Sequence, residues 1–89
     1  MNEVKKELIN KNEYDFSDLV TIMKLLRAPD GCPWDIEQTH RSIRKNFIEE
    51  TYEACEAIDK EDDELLVEEL GDVILQVVFH ARIAEERGA

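Results

Sequence analysis

The stretch that decides the fold of this chain is Val73-Ile74-Leu75-Gln76-Val77-Val78-Phe79. If this stretch is helical, nearly all of its surface is apolar. A helix that is apolar nearly all round is buried on more than one side. The chain has only 89 residues, and its three predicted helices are too few to cover this one. We therefore expect an all-α fold, an antiparallel helical bundle that is completed by oligomerisation into a homodimer or homotetramer.

The boundaries of this apolar helix follow from its flanking residues. The pair Asp62-Asp63 caps and charges its beginning, and Gly88 favours a stop after about residue 87. The connection before it, residues 60–62, is short, so the preceding helix at about 40–60 is expected to be antiparallel to it. The apolar stripe of that preceding helix is predicted to be Ile43, Phe47, Ile48, Thr51, Cys55 and Ile58.

An N-terminal helix over about 15–28 is predicted from apolar residues at helical spacing, with Asp15 or Ser17 as its cap. Pro29 and the Asp30-Gly31 turn signal end it. Residues 29–39 are predicted to form a long loop, which carries Trp34, the only tryptophan. Residues 1–14 are polar and weakly patterned, so we interpret them as a tail or linker and 15–89 as the helical domain.

Two acidic motifs lie on the two long predicted helices, Glu49-Glu50-Thr51-Tyr52-Glu53 and Glu69-Leu70-Gly71-Asp72. Residues three apart share a helix face, so Glu50 points with Glu53 and Glu69 points with Asp72. Face to face, the two pairs would form a cage of four carboxylates that needs a cation, and oxygen ligands suit Mg²⁺ or Mn²⁺. Gly71 costs about 1 kcal/mol in mid-helix relative to Ala, which indicates close approach of a ligand or another helix.

The alternative to a metal cage is a solvated acidic face. That interpretation suits residues 61–64, which begin a helix. It suits the carboxylates of the two motifs less well, because no Lys or Arg stands four residues after Glu49, Glu50, Glu53, Glu69 or Asp72. A ferritin-type di-iron site, which needs Glu-x-x-His pairs on the bundle helices, is a disfavoured rival.

Composition restricts the class of partner. A net charge of −11 argues against binding nucleic acid through its phosphates, although a small phosphorylated ligand is compatible if metal ions bridge the two negative partners. No apolar stretch approaches the length of a membrane span. Cys32 and Cys55 form no CxxC and are interpreted as free thiols of a reducing compartment. We expect a soluble, cytoplasmic protein.

Several motifs occur together in a fixed order. They are Gly31-Cys32-Pro33-Trp34-Asp35, Gln38-Thr39-His40, the two acidic motifs, and Gln76-Val77-Val78-Phe79-His80-Ala81. This set resembles the MazG family of nucleoside triphosphate pyrophosphohydrolases, over about residues 16–88. The resemblance implies an all-α, oligomeric enzyme that binds Mg²⁺ and cleaves nucleoside triphosphates to the monophosphate and pyrophosphate.

The resemblance also implies roles for matching positions. The metal ligands would be Glu50, Glu53, Glu69 and Asp72. Glu49 would orient or deprotonate the attacking water. The candidate substrate-binding residues are Trp34, which either stacks on the nucleotide or anchors its loop, and Arg41 and Lys45, which either reach phosphate oxygens or face solvent. His40 is interpreted as a loop-ordering partner or a substrate contact, and His80 as a satisfied bundle histidine.

A non-catalytic function is the competing hypothesis. Asn46 stands where the family often has an aromatic residue, and the chain stops at Ala89, where relatives usually continue. The first departure would alter the edge of the pocket, and the short C-terminus favours an oligomerisation or regulatory MazG-like module of a larger protein. Retention of every acidic motif position favours the enzyme.

Overall fold

The fold is entirely helical in the part of the chain that the computed structural model describes, residues 2–89 with side chains from Glu3 onward. The helices are α1 (Asn2–Asn10), α2 (Phe16–Leu26), α3 (Pro33–Glu37), α4 (His40–Asp59) and α5 (Asp63–Glu86). No strand occurs within this range, so the predicted all-α class is confirmed. None of the helices described is long and apolar enough to cross a membrane.

The two long helices, α4 and α5, pack against each other as a hairpin. Thr39 caps α4, because its side chain accepts a hydrogen bond from the Ser42 N–H while the Ser42 hydroxyl accepts one from the Thr39 N–H. Asp62 caps α5 by accepting from the Leu65 N–H. Between them, Glu61 adopts a left-handed φ of 54° that reverses the chain. The predicted antiparallel pair and the predicted cap of α5 are therefore confirmed, whereas the Thr39 cap of α4 was not predicted.

The face of α4 that packs on α5 differs from the predicted stripe. The buried α4 residues are Ile43, Ala54 and Ala57, whereas Ile48 and Ile58 are 48% and 57% exposed and Cys55 is exposed. The small alanine side chains let the α4 backbone approach α5 closely. This close packing favours the face of Ala54 and Ala57 over the face of Ile48 and Ile58 as the one that contacts α5. The predicted stripe therefore holds for Ile43 and for Phe47, whose ring packs on His80 of α5, and was wrong for its other members: Ile48, Thr51, Cys55 and Ile58. Glu50 shares the inward side with the alanines.

The apolar stretch of α5 is only partly covered. Val78 and Phe79 are buried, but Ile74, Leu75 and Val77 are 38–48% exposed. The expectation that this chain cannot cover α5 by itself agrees with these exposures. Completion by a second copy stays a prediction.

The N-terminal residues form a separate compact unit that runs to Glu37, and Gln38–Ala89 form the second. In the first unit, Asp15 and Asp18 make a capping box at the start of α2, as predicted for Asp15. The segment before it contains α1, a helix that the sequence did not predict. Lys11 Nζ holds both carboxylate oxygens of Asp18, at 2.7 and 2.8 Å, and the Tyr14 hydroxyl donates to the Leu8 carbonyl. The role of residues 1–14 as a tail or linker stays a prediction.

The segment predicted as a loop, 29–39, contains the short helix α3. It is preceded by a tight turn in which the Gly31 N–H donates to the Ala28 carbonyl and the Cys32 N–H donates to the Leu26 carbonyl. A Cβ on Gly31 would lie 2.2 Å from the Leu26 carbonyl oxygen. Only glycine therefore allows this turn.

Candidate metal centre

Three carboxylates meet between α4 and α5. Glu50 comes from the middle of α4, and Glu69 and Asp72 come from the first half of α5. One carboxylate oxygen of each lies within 4.8 Å of the others. Because Glu69 and Asp72 are three apart on one helix, a single turn of α5 presents both to Glu50.

Two oxygens of this cluster have no compensating partner. Glu50 Oε2 and Glu69 Oε2 are buried, and neither has a hydrogen-bond partner among the described residues. Burial, followed by the charges of Glu53 and Asp72, raises the pKa of Glu50. Burial, together with the hydrogen bond and charge of Glu53 and the charges of Asp72 and Glu50, raises the pKa of Glu69 to about 7. Without a cation, the cluster is therefore costly to ionise.

The donor set fits a hard divalent cation. All donors are carboxylate oxygens, which suit Mg²⁺ and Mn²⁺, whereas Zn²⁺ and the softer metals are usually held by sulfur or imidazole ligands. The two unpartnered oxygens are atoms that such an ion would satisfy. The residues present therefore fit the metal site that the sequence predicts.

Glu53 lies at the edge of the cluster. It is exposed and does not belong to the mutually close set, yet its carboxyl is near enough to raise the pKa of both Glu50 and Glu69. The structure thus brings together three of the four predicted ligands and places the fourth beside them.

Glu49 borders the cluster from the solvent side. Its side chain is 54% exposed, and Lys45 Nζ lies 3.7 Å from its Oε1. Its charge also contributes to the raised pKa of Glu50. A water next to the carboxylates would therefore have Glu49 close by.

The remaining predicted substrate contacts are divided between the two units, with Arg41 and Lys45 one turn apart on α4 and Trp34 on α3. Lys45 is 84% exposed and pairs with Glu49. Arg41, in the first turn of α4, is exposed and has no ion-pair partner among the described residues. Trp34 is on α3 in the first unit and is 56% exposed. Exposure leaves all three side chains accessible to a ligand.

The two histidines form a contact that sequence reasoning missed. His40 Nδ1 lies 2.8 Å from His80 Nδ1, although His80 was interpreted as satisfied. His80 Nε2 is buried and has no partner in the described chain, so that interpretation was wrong for one of its nitrogens. The only signal in the sequence was the i, i+4, i+8 spacing of Asp72, Gln76 and His80, which places His80 on the same face of α5 as the acidic motif. The contact with His40 could be recognised only from the register in which α4 and α5 pack.

The di-iron alternative finds no support at His40. Glu37 stands three residues before it, but Glu37 ends α3 and His40 begins α4, so the pair does not share one helix. The Glu-x-x-His arrangement on a continuous bundle helix is therefore not formed by these two residues.

Comparison with known proteins identifies the class. Residues 38–89, which include all of α4 and α5, match the MazG nucleotide pyrophosphohydrolase domain. The match covers more than half of the chain, and the chain belongs to the MazG family. The resemblance that the motifs indicated is thus confirmed.

Individual relatives give the same result. The chain is 61% identical over 74 residues to the nucleoside triphosphate pyrophosphohydrolase/pyrophosphatase MazG of Thermotoga maritima, covering 83% of this chain and 29% of that protein. It is 54% identical over 71 residues to a nucleoside triphosphate pyrophosphohydrolase of Escherichia coli K12, covering 79% of this chain and 27% of that protein. An uncharacterized Bacillus subtilis protein, YabN, is 53% identical over 75 residues, covering 84% of this chain and 15% of its own length. The chain therefore spans less than a third of these relatives.

Proposed function

We propose that this chain is a Mg²⁺-dependent nucleotide pyrophosphohydrolase that cleaves nucleoside triphosphates to the nucleoside monophosphate and pyrophosphate. The observation that carries the proposal is the cluster of Glu50, Glu69 and Asp72, whose oxygens converge within 4.8 Å in a member of the MazG family. Relatives named for this reaction support it.

In this proposal the carboxylates of α4 and α5 hold the cation. Glu50, Glu69 and Asp72 would be the central ligands, and Glu53 would join from the edge; Mn²⁺ would fit the same oxygens. When bound, Mg²⁺ supplies the positive charge that lets a triphosphate of about four negative charges approach this acidic site, and it lowers the pKa of bound water.

Glu49 is proposed to accept the proton of the attacking water. Its partial exposure and its position beside Glu50 support this role, and a carboxylate next to the water can act as a general base. The Lys45 ammonium lies 3.7 Å from the Glu49 carboxylate. Lys45 and Arg41 are proposed to contact phosphate oxygens, and Trp34 to stack on the base.

The test is pyrophosphate release from a panel of nucleoside triphosphates, with Mg²⁺ or with EDTA. Asp72→Asn removes one ligand charge at nearly constant volume and should abolish Mg²⁺-dependent release while circular dichroism shows unchanged helicity. Glu68→Gln is the matched control, because Glu68 is exposed on the same helix outside the cluster. Full activity in Asp72→Asn with normal metal dependence would disprove the assignment.

A second function is favoured by the exposed apolar residues of the hairpin. Ile48, Tyr52, Ile74 and Val77 are 44–76% exposed, and side chains of this kind are typical of an assembly surface. We propose that a second copy of the chain covers them, as a dimer or tetramer. If no nucleotide is hydrolysed while the oligomer forms, the chain acts as a non-catalytic oligomerisation module.

A further inference from the structure

The contact between His40 and His80 has a specific geometry. Their Nδ1 atoms are 2.8 Å apart, their ring planes differ by 4°, and their ring centroids are 5.0 Å apart. The centroid separation exceeds the nitrogen separation by about twice the distance from an imidazole centroid to its own nitrogen. The two nitrogens therefore lie on the line between the centroids, and the rings are nearly coplanar and edge to edge. This is the arrangement of an in-plane N–H···N hydrogen bond.

Such a hydrogen bond depends on the number of protons in the pair. One Nδ1 has to carry a proton and the other has to offer its lone pair, so two neutral rings must adopt opposite tautomers. A pair with one positive charge also satisfies the bond. A pair with two positive charges does not, because it places two N–H groups against each other at 2.8 Å.

The surroundings disfavour the second proton. The ring of Phe47 packs on His80, with centroids 5.4 Å apart. Arg87 and the last residue, Ala89, line the same recess as His40, and in sequence His40 follows Glu37 and precedes Arg41 and Arg44. Neither ring pairs with a carboxylate among the described residues. Burial, and then the neighbouring His40 ring, lower the pKa of His80.

We propose that His40 and His80 form a proton-gated latch, which ties the first turn of α4 to α5 while the pair carries at most one positive charge and opens when both rings are protonated. His40 is the first residue of α4, so the latch closes the end of the hairpin opposite the 60–62 connection. Gln76, whose Oε1 is buried without a partner in the described chain, lies one turn from His80 toward Asp72. The latch thus stands on the same interface as the carboxylates. It does not depend on the proposed enzymatic function.

The first experiment uses the unmodified chain. Its only two histidines are His40 and His80, so long-range ¹H–¹⁵N correlation spectra contain just two imidazole spin systems. At neutral pH we expect opposite tautomers, one ring protonated at Nδ1 and the other at Nε2. Acidification should protonate the rings in two separated steps. Two Nε2–H tautomers that titrate together would overturn the proposal.

The second experiment separates the latch from ordinary packing. His40→Gln keeps a donor and an acceptor beside His80, so it can pair in either protonation state. As pH falls from about 7.5 to 5, through the ordinary histidine pKa of about 6.5, the wild-type unfolding midpoint should drop about 5 °C more than that of His40→Gln. Lys24→Gln, which introduces the same amide at an exposed position in the first unit, should behave as wild type.

The comparison also removes the influence of the metal centre. Protonation of the carboxylates acts equally in all three proteins, and so it cancels in the difference between them. Equal acid sensitivity of wild type and His40→Gln would show that the pair is a packing contact without gating. None of these measurements uses nucleotide or metal, so their failure would leave the proposed hydrolase function untouched.

Discussion

Glu50 of α4 lies across the helix interface from Glu69 of α5, with carboxylate oxygens within 4.8 Å and one unpartnered buried oxygen on each. The packing of α4 on α5 brings these two carboxyl groups together. Removing water from both carboxylates costs free energy unless a cation or a proton compensates them. The behaviour of this pair therefore supplies the most direct tests of the metal centre.

Metal binding should depend on pH in a defined direction. The pKa of Glu69 is raised from its ordinary 4.5 to about 7, so the folded chain without metal keeps a proton that the unfolded chain has already released. The metal-free chain should therefore lose stability as pH rises from about 5 to 7. Mg²⁺ replaces that proton, so the increase in unfolding midpoint on adding Mg²⁺ should be larger at pH 8 than at pH 5.5.

Differential scanning fluorimetry in EDTA and in Mg²⁺, at both pH values, makes this measurement. Asp72→Asn is the control, because it removes one ligand and should reduce the Mg²⁺-induced shift at either pH. A shift of the same size at pH 5.5 and 8 would mean that protons and metal do not compete at this cluster.

Glu49→Gln should separate binding from turnover. The substitution removes the proposed base while leaving Glu50, Glu69 and Asp72 intact, and general-base assistance is typically worth about 10²–10⁴-fold in rate. Calorimetric titration with Mg²⁺-nucleotide should therefore be nearly unchanged while pyrophosphate release falls by that factor. Loss of binding along with rate would make Glu49 a ligand, and no change in either would make it a surface carboxylate.

Gly71→Ala should stabilise the free chain. A Cβ at Gly71 meets no atom within 4 Å among the described residues, so no contact within the described chain explains the glycine. Alanine is favoured over glycine by about 1 kcal/mol in a helix, which corresponds to about 4–8 °C in the unfolding midpoint of a domain of this size. Thermal unfolding in EDTA measures this.

The same variant tests why glycine is present. If a ligand or another helix approaches Gly71 as the sequence predicted, the variant should lose nucleotide hydrolysis or assembly while it gains thermal stability. Glu68→Ala, an exposed position three residues earlier on α5, is the comparison for propensity alone. A lower midpoint in Gly71→Ala would contradict the gain expected from helix propensity.

The exposed part of α5 should mediate assembly. Light scattering at micromolar concentration is expected to report at least a dimer, because Ile74 and Val77 are 44% and 48% exposed. Ile74→Lys combined with Val77→Lys should yield a monomer with retained helicity, since burying two ammonium groups is costly. Ile9→Lys, at an exposed position in the first unit, is the control. A monomeric wild-type chain would refute the prediction.

Much of the candidate site could be predicted from local spacing. Residues three apart share a helix face, which is enough to pair Glu69 with Asp72 and to separate Glu49 from Glu50. Spacing also predicted Glu53 as a ligand, but its side chain is exposed and lies outside the set of mutually close oxygens. Glu53 lies about 60° around α4 from Glu50, so it is at the edge of the face that packs on α5.

The sequence by itself determined the all-α class, the approximate limits of α4 and α5, the cap of α5, and the family, because periodicity, capping residues and motif order are local properties of the chain. Only the tertiary structure decided which face of α4 turns inward. Both candidate faces carry apolar residues, and close packing on α5 selects the face with Ala54 and Ala57 over the one with Ile48 and Ile58. The pairing of His40 with His80 was likewise decided by the hairpin register, since residues forty positions apart meet only when two long helices have packed.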